Sequence, residues 1–103
     1  MNNYEVFHIL HERLKEGVYF LAALENQPIL KDKLKDEVNS LYRAFNDRDL
    51  INSRHTLDIW TARLEGAGLV DVQEVGQARM YSISDLGREM IEHVQAQNSQ
   101  KDE

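Results

Sequence analysis

The sequence predicts a mainly helical fold with one small β-hairpin, and three observations carry that prediction. Apolar residues recur three and four positions apart through most of the chain, which is the helical period. The pattern breaks at Val70, Val72 and Val75 and again at Met80-Tyr81-Ser82-Ile83, residues suited to strands, on either side of a Gly76-Gln77 turn. A Ser84-Asp85 pair then reopens a helix. Serine caps the free N–H groups of a helix start, and aspartate suits the positive end of the helix dipole.

Taken in order, residues 4–25 read as one long helix. Phe7, Leu10, Leu14, Leu21 and Leu24 follow a 3-4-7-3 spacing, and Gly17 fills the missing seam position. Such repetition seats a helix against a second helix, in the same chain or in a partner. Gly17 either permits close approach or marks a bend. Asn26-Gln27-Pro28 ends this helix, because the residue before proline is pushed out of helical conformation. A second helix is predicted over residues 30–45, with Leu34, Val38, Leu41 and Phe45 on its inner face, and Asn46 to Ser53 form a polar connection. In the third helix Leu57, Trp60 and Leu64 share one face, and Gly68 stands where a left-handed residue closes the helix. The last helix is predicted over residues 85–97, burying Leu86, Met90, Ile91 and Val94. The expected organisation is one domain over residues 1–97 with a polar, fraying tail at 98–103. Helices followed by a hairpin and a closing helix are the plan of a winged helix-turn-helix.

Composition narrows the function. The chain has no cysteine, which excludes disulfides and thiolate metal sites. No apolar run approaches the roughly 20 residues that span a bilayer, and the N-terminus lacks the basic-then-apolar pattern of a signal peptide. A cytoplasmic protein without membrane contact is expected. There is no glycine-rich phosphate loop and no nucleophile motif, so neither an enzyme nor a cofactor is predicted. His8, His11 and Glu12 lie within a helical turn, but surface histidines are far more often solvated than metal-bound, and no metal is predicted.

Charge points in two directions. The formal net charge is −6, whereas a nucleic-acid binder is expected to show a basic face. Distribution matters more than the total. Residues 41–64 hold four arginines against three aspartates, while residues 65–103 hold three basic and eight acidic residues. The helix-turn-helix region is the least acidic part of the chain. With Leu57, Trp60 and Leu64 inward, His55, Asp58, Ile59 and Ala62 point outward. Arg54 lies at the helix start, where side chains usually reach base edges. Arg54 could pair with guanine, His55 could meet a base or a phosphate, and Ile59 and Ala62 could meet thymine methyls. Asp58 would oppose phosphate unless it accepts from a cytosine amine or braces an arginine. Arg79, near the hairpin tip beside Gln77, could enter a minor groove or pair with phosphate. Arg48 and Ser53 in the connection complete the candidate set.

The segments also resemble a known superfamily. Thr56, Leu57, Trp60, Arg63, Leu64, Glu65, Gly68, Leu69 and Val70 fit the third helix of winged helix-turn-helix regulators. Val75-Gly76, Arg79, Tyr81-Ser82-Ile83 and Ser84-Asp85-Leu86-Gly87 are similar to the wing and following helix of small centromere-binding proteins from plasmid and phage partition systems that use a tubulin-like filament. The resemblance is strongest over residues 53–94 and weak in the first 45. It implies a dimeric winged helix that also represses its own operon, with Arg54, His55 and Arg79 in contact with DNA. Asn46 to Ser53 is longer than the turn of common regulators, and resembles an expansion in archaeal origin-binding initiators.

The expected function is sequence-specific binding of double-stranded DNA by a homodimer, as a repressor or partition adaptor. Phe7, Leu10, Leu14, Leu21, Met90 and Val94 are the expected dimer interface. The competing expectation, favoured by the acidity and by Asp58, is a winged helix that binds a protein partner and no DNA.

Overall fold

The computed structural model describes residues 2–101. Five helices and three strands follow in the order α1 (Asn3–Leu14), α2 (Val18–Leu24), β1 (Ile29–Leu30), α3 (Lys31–Asn46), α4 (Arg54–Gly66), β2 (Val70–Val75), β3 (Ala78–Ile83) and α5 (Asp85–Lys101). The strands form one antiparallel sheet in the order β1-β3-β2. The hairpin closes at Gly76, whose φ of 65° suits glycine, and pairs Val70 with Ile83 and Val75 with Ala78.

The N-terminal segment departs from the single helix expected. Lys15 adopts φ 40°, and a 3-10 turn over Lys15–Gly17 separates α1 from α2. Gly17 is not the kinked residue, since its own backbone is helical. It permits close approach instead: a Cβ there would stand 3.3 Å from Leu64 Cδ2 and 3.4 Å from Trp60 Cζ3. α2 can therefore lie against α4. The heptad spacing still found the buried face on both sides of the break, because Phe7, Leu14, Gly17, Leu21 and Leu24 are all buried.

The inner face of α3 is rotated from the expected one. Leu34 and Val38 are buried as predicted, but Leu41 faces outward and Phe45 is 81% exposed. Asn39 and Tyr42 take the inner positions. Asn39 is satisfied there by the backbone of the following loop: its Nδ2 donates to Ile51 O at 2.9 Å, and Ile51 N donates to its Oδ1 at 2.8 Å. This pair of hydrogen bonds pins the long connection after α3, which leads to Ser53 at the start of α4. α3 itself ends on Asp47, left-handed at φ 56°.

α4 ends in a Schellman motif. Gly68, with φ 76°, donates to Glu65 O, and Leu69 N donates to Leu64 O, both at 3.0 Å. The Ser84-Asp85-Leu86-Gly87 run then ties α5 to that corner. Ser84 Oγ accepts from Gly87 N at 3.0 Å and donates to Gly68 O at 2.6 Å. A Cβ at Gly87 would fall 2.1 Å from Leu69 O, so only glycine fits. α5 continues to Lys101, past the expected end at residue 97, so residues 98–101 of the expected tail are helical. The remainder of that tail lies outside the described residues.

α1 packs on α5, and α2 packs on α3, α5 and β3. Phe20, Leu21, Leu24, Val38, Ile51, Leu64, Leu69, Tyr81, Met90 and Ile91 form the centre of the core. The residues expected at a dimer interface belong to this packing. Phe7, Leu14, Leu21, Met90 and Val94 are buried within one chain, and Leu10 is half-buried against the same cluster. α1 and α5 pack their apolar stripes on each other, and α5 packs on α2 as well. Among the described residues the large apolar side chains left exposed are Tyr4, Ile9, Leu41, Phe45, Ile59 and Val75.

Candidate nucleic-acid interface

α4 is built to present one face. Ser53, in extended conformation, caps the helix by accepting from Thr56 N at 3.2 Å. Ser53 therefore serves α4 first as a cap. Leu57 and Leu64 turn inward as expected, joined by Thr61, whose hydroxyl returns to Leu57 O at 2.9 Å. Trp60 is half-buried and stacks on Phe20 with ring centroids 5.9 Å apart. Opposite them Arg54, His55, Asp58, Ile59 and Ala62 are all exposed.

The start of α4 and the hairpin turn share a cleft of about 220 Å3, lined by Leu30, Lys31, Asp32, Arg54, Gln77, Ala78 and Arg79. Three of the expected contact residues, Arg54, Gln77 and Arg79, are thus brought together although 25 positions separate Arg54 from Arg79. Arg48 is held elsewhere: its guanidinium lies over the Tyr42 ring and donates to the Tyr42 hydroxyl at 3.3 Å.

The cations of this cleft are all engaged by carboxylates. Lys31 Nζ meets Asp58 Oδ1 at 2.5 Å, and its side chain is only 13% exposed. Asp58 also faces Arg54 Nε one helical turn back, at 3.6 Å. The Lys31 hydrogen bond and charge, with Arg54 adding to them, hold the Asp58 carboxyl below the usual carboxylate range. Of the roles open to Asp58, bracing an arginine is the one this geometry provides. Arg54 has a second partner, Asp32 Oδ1, also at 3.6 Å.

Arg79 does not stand free at the hairpin tip. It lies back along β3 over the Tyr81 ring, and its Nη2 donates to both Glu65 oxygens at 3.4 and 3.5 Å. Gln77, beside Gly76, is the exposed tip residue. Arg63 lies over the Trp60 ring, so Arg63 and Glu65 each have a partner within the fold. Sequence reasoning missed Lys31, Asp32 and the role of Glu65. Only the Arg54–Asp58 pair carried a local signal, the helical i,i+4 spacing.

His8 Nε2 meets Glu12 at 3.3 Å and Tyr4 stacks on His8. Among the described residues no group of three His, Asp or Glu side chains is placed to hold a metal ion. No helix among them is long and apolar enough to cross a membrane.

No protein-family model matches the chain. It is 35% identical to the DNA-binding protein TubR of Bacillus cereus over 104 aligned residues, which cover 92% of this chain and 87% of that protein. The chain belongs to the TubR family. Its fold is that of TubR as well: a structure of TubR bound to 24 bp of tubC, from the pBtoxis plasmid of Bacillus thuringiensis serovar israelensis, superposes with a TM-score of 0.64. That match covers 94% of this chain and 97% of the other at 20% identity, so it speaks for the fold alone. The whole-length match extends the kinship beyond residues 53–94, where the resembling motifs lie, to the N-terminal helices.

Proposed function

We propose that this TubR-family chain binds double-stranded DNA sequence-specifically, as a homodimer, and serves as the DNA-bound adaptor of a plasmid partition system. The observation that carries the reading is the whole-length kinship to a DNA-binding TubR, in a chain whose α4 start and hairpin gather Arg54, Gln77 and Arg79 in one cleft. In this reading Arg54 supplies a base-edge contact, with His55, Ile59 and Ala62 beside it on the outer face of α4. Arg79 and Gln77 meet the adjacent backbone or minor groove, Ser53 caps the helix start, and Arg48, held on Tyr42 outside the cleft, lies in the connection before it. The capped N-terminus of α4 adds the positive end of a helix dipole. The homodimer draws on apolar surface that the single chain leaves open, such as Leu41 and Phe45 on α3.

The test is sequencing of DNA that co-purifies with the tagged protein, followed by fluorescence anisotropy on the enriched site and on random duplex. An enriched sequence is expected, with Arg54→Ala reducing discrimination by roughly 1–3 kcal/mol. Absence of enrichment, together with no duplex binding at low salt, would overturn the proposal and leave a protein-binding winged helix in its place.

A further inference from the structure

Every cation of the α4–hairpin cleft is already paired. Lys31, Arg54 and Arg79 are matched by Asp32, Asp58 and Glu65, a formal sum of zero in a place where phosphate binding calls for excess positive charge. The three carboxylates are not equivalent. Asp58 is anchored by the largely covered Lys31 and lies on the same helix as Arg54, so it orients that arginine. Asp32 and Glu65 hold their arginines by long contacts, 3.6 Å and 3.4 Å, from exposed or half-exposed side chains.

We propose that Asp32 and Glu65 are specificity-determining residues that occupy Arg54 and Arg79 in the free protein, so that random duplex gains each phosphate contact only by breaking an ion pair. The inference rests on the DNA-binding reading above. Its thermodynamics follow from ion exchange. When a phosphate takes an unpaired arginine, it releases a condensed counterion, and this release drives non-specific binding. When the arginine comes from a carboxylate, the uncovered carboxylate stays beside the phosphate and offsets the arginine's charge there, so fewer counterions are released. Random DNA then gains little. A selected site still gains, because base-edge hydrogen bonds to a braced Arg54 do not depend on counterion release. The two acidic residues thereby suppress the background against which a site must be found, at little loss to the site itself.

The experiment is a salt titration of anisotropy with a fluorescein-labelled random-sequence duplex, on the full chain. Asp32→Asn and Glu65→Gln should each tighten binding by up to about fivefold near 0.1 M salt, the range of an exposed ion pair. Each should also steepen the slope of log K against log salt by up to about 0.9, one phosphate's worth of counterion. The effect of Asp32→Asn should vanish in an Arg54→Ala background, which mere removal of negative charge would not produce. Glu89→Gln on α5, an exposed acid with no ion pair among the described residues, should leave the slope unchanged. An unchanged slope in the Asp32→Asn/Glu65→Gln double variant overturns the inference. So does an Asp32→Asn effect that persists undiminished without Arg54. If wild type enriches a site yet these slopes stay flat, only this inference fails. If neither wild type nor any variant binds duplex at low salt, the DNA-binding reading fails and takes this one with it.

Discussion

Removing the Asn39 side chain tests whether the long α3–α4 connection is held by one amide. In the wild type that amide satisfies both the N–H and the carbonyl of Ile51, at 2.8 and 2.9 Å, in a site where Asn39 is 3% exposed and Ile51 is fully buried. Asn39→Ala leaves two buried backbone groups without partners and a small cavity. Each orphaned group costs about 1–3 kcal/mol, so a loss of roughly 2–5 kcal/mol is expected after partial relaxation. A domain of this size has about 5–15 kcal/mol in all, and each kcal/mol moves its Tm by about 4–8 °C. Thermal and urea denaturation followed by circular dichroism should therefore show a Tm lower by at least about 8 °C. Asn39→Asp separates the two bonds. An aspartate keeps the acceptor for Ile51 N but can face Ile51 O only when protonated, so burial beside a carbonyl raises its pKa. Its stability should be greater at pH 5 than at pH 7, because a group with a raised folded-state pKa contributes below that value and loses its contribution as pH rises through it. A Tm for Asn39→Ala within about 3 °C of wild type would refute the reasoning, as would an Asn39→Asp variant no worse at pH 7 than at pH 5.

Gly87→Ala should destabilise the fold by about 3 kcal/mol or more, since its Cβ would overlap Leu69 O, whereas Gly66→Ala meets nothing within 4 Å and should be neutral or stabilising by up to about 1 kcal/mol in the same melts. Leu14→Glu should unfold the chain at room temperature, while Phe45→Glu should keep the wild-type Tm within a few degrees and instead weaken self-association in sedimentation. Asp58→Asn should flatten the acid limb of the stability curve: the lowered Asp58 pKa makes its contribution complete above the ordinary carboxylate range and lost as pH falls below about 4. Overlapping acid titrations of wild type and Asp58→Asn would count against the Lys31–Asp58 pair.

The parts of the fold that were legible in the sequence are those set by local physics. The hairpin, its Gly76 turn, the Ser84 cap and the Gly68 helix end all follow from conformational rules spanning a few residues, and each stands where it was expected. What escaped depended on the rest of the chain. β1 is two residues long, too short for any alternation to register, and exists because β3 offers it an edge. The break at Lys15 places a lysine at positive φ, which no residue-type rule announces. On α3 the apolar Leu41 and Phe45 outrank Asn39 and Tyr42 on any hydrophobic count, which hides the inner face; the polar pair is buried only because Ile51 reaches Asn39, and Tyr42 packs against Tyr19. The same limit applies to the cleft. Arg54, Gln77 and Arg79 were recognisable by position, but Lys31, Asp32 and Glu65 join them only through tertiary approach.

The corner where α4, the hairpin and α5 meet has a mechanical consequence. Ser84 N donates to Leu69 O, Ser84 Oγ donates to Gly68 O, and Gly87 presses against Leu69. Both ends of the hairpin are therefore tied at their base to the end of α4. These contacts set the angle at which the hairpin leaves the end of α4. The base of the hairpin is thereby set by the same residues that end α4 and start α5, so a change at Gly68, Ser84 or Gly87 would re-aim the hairpin as well as loosen the helices.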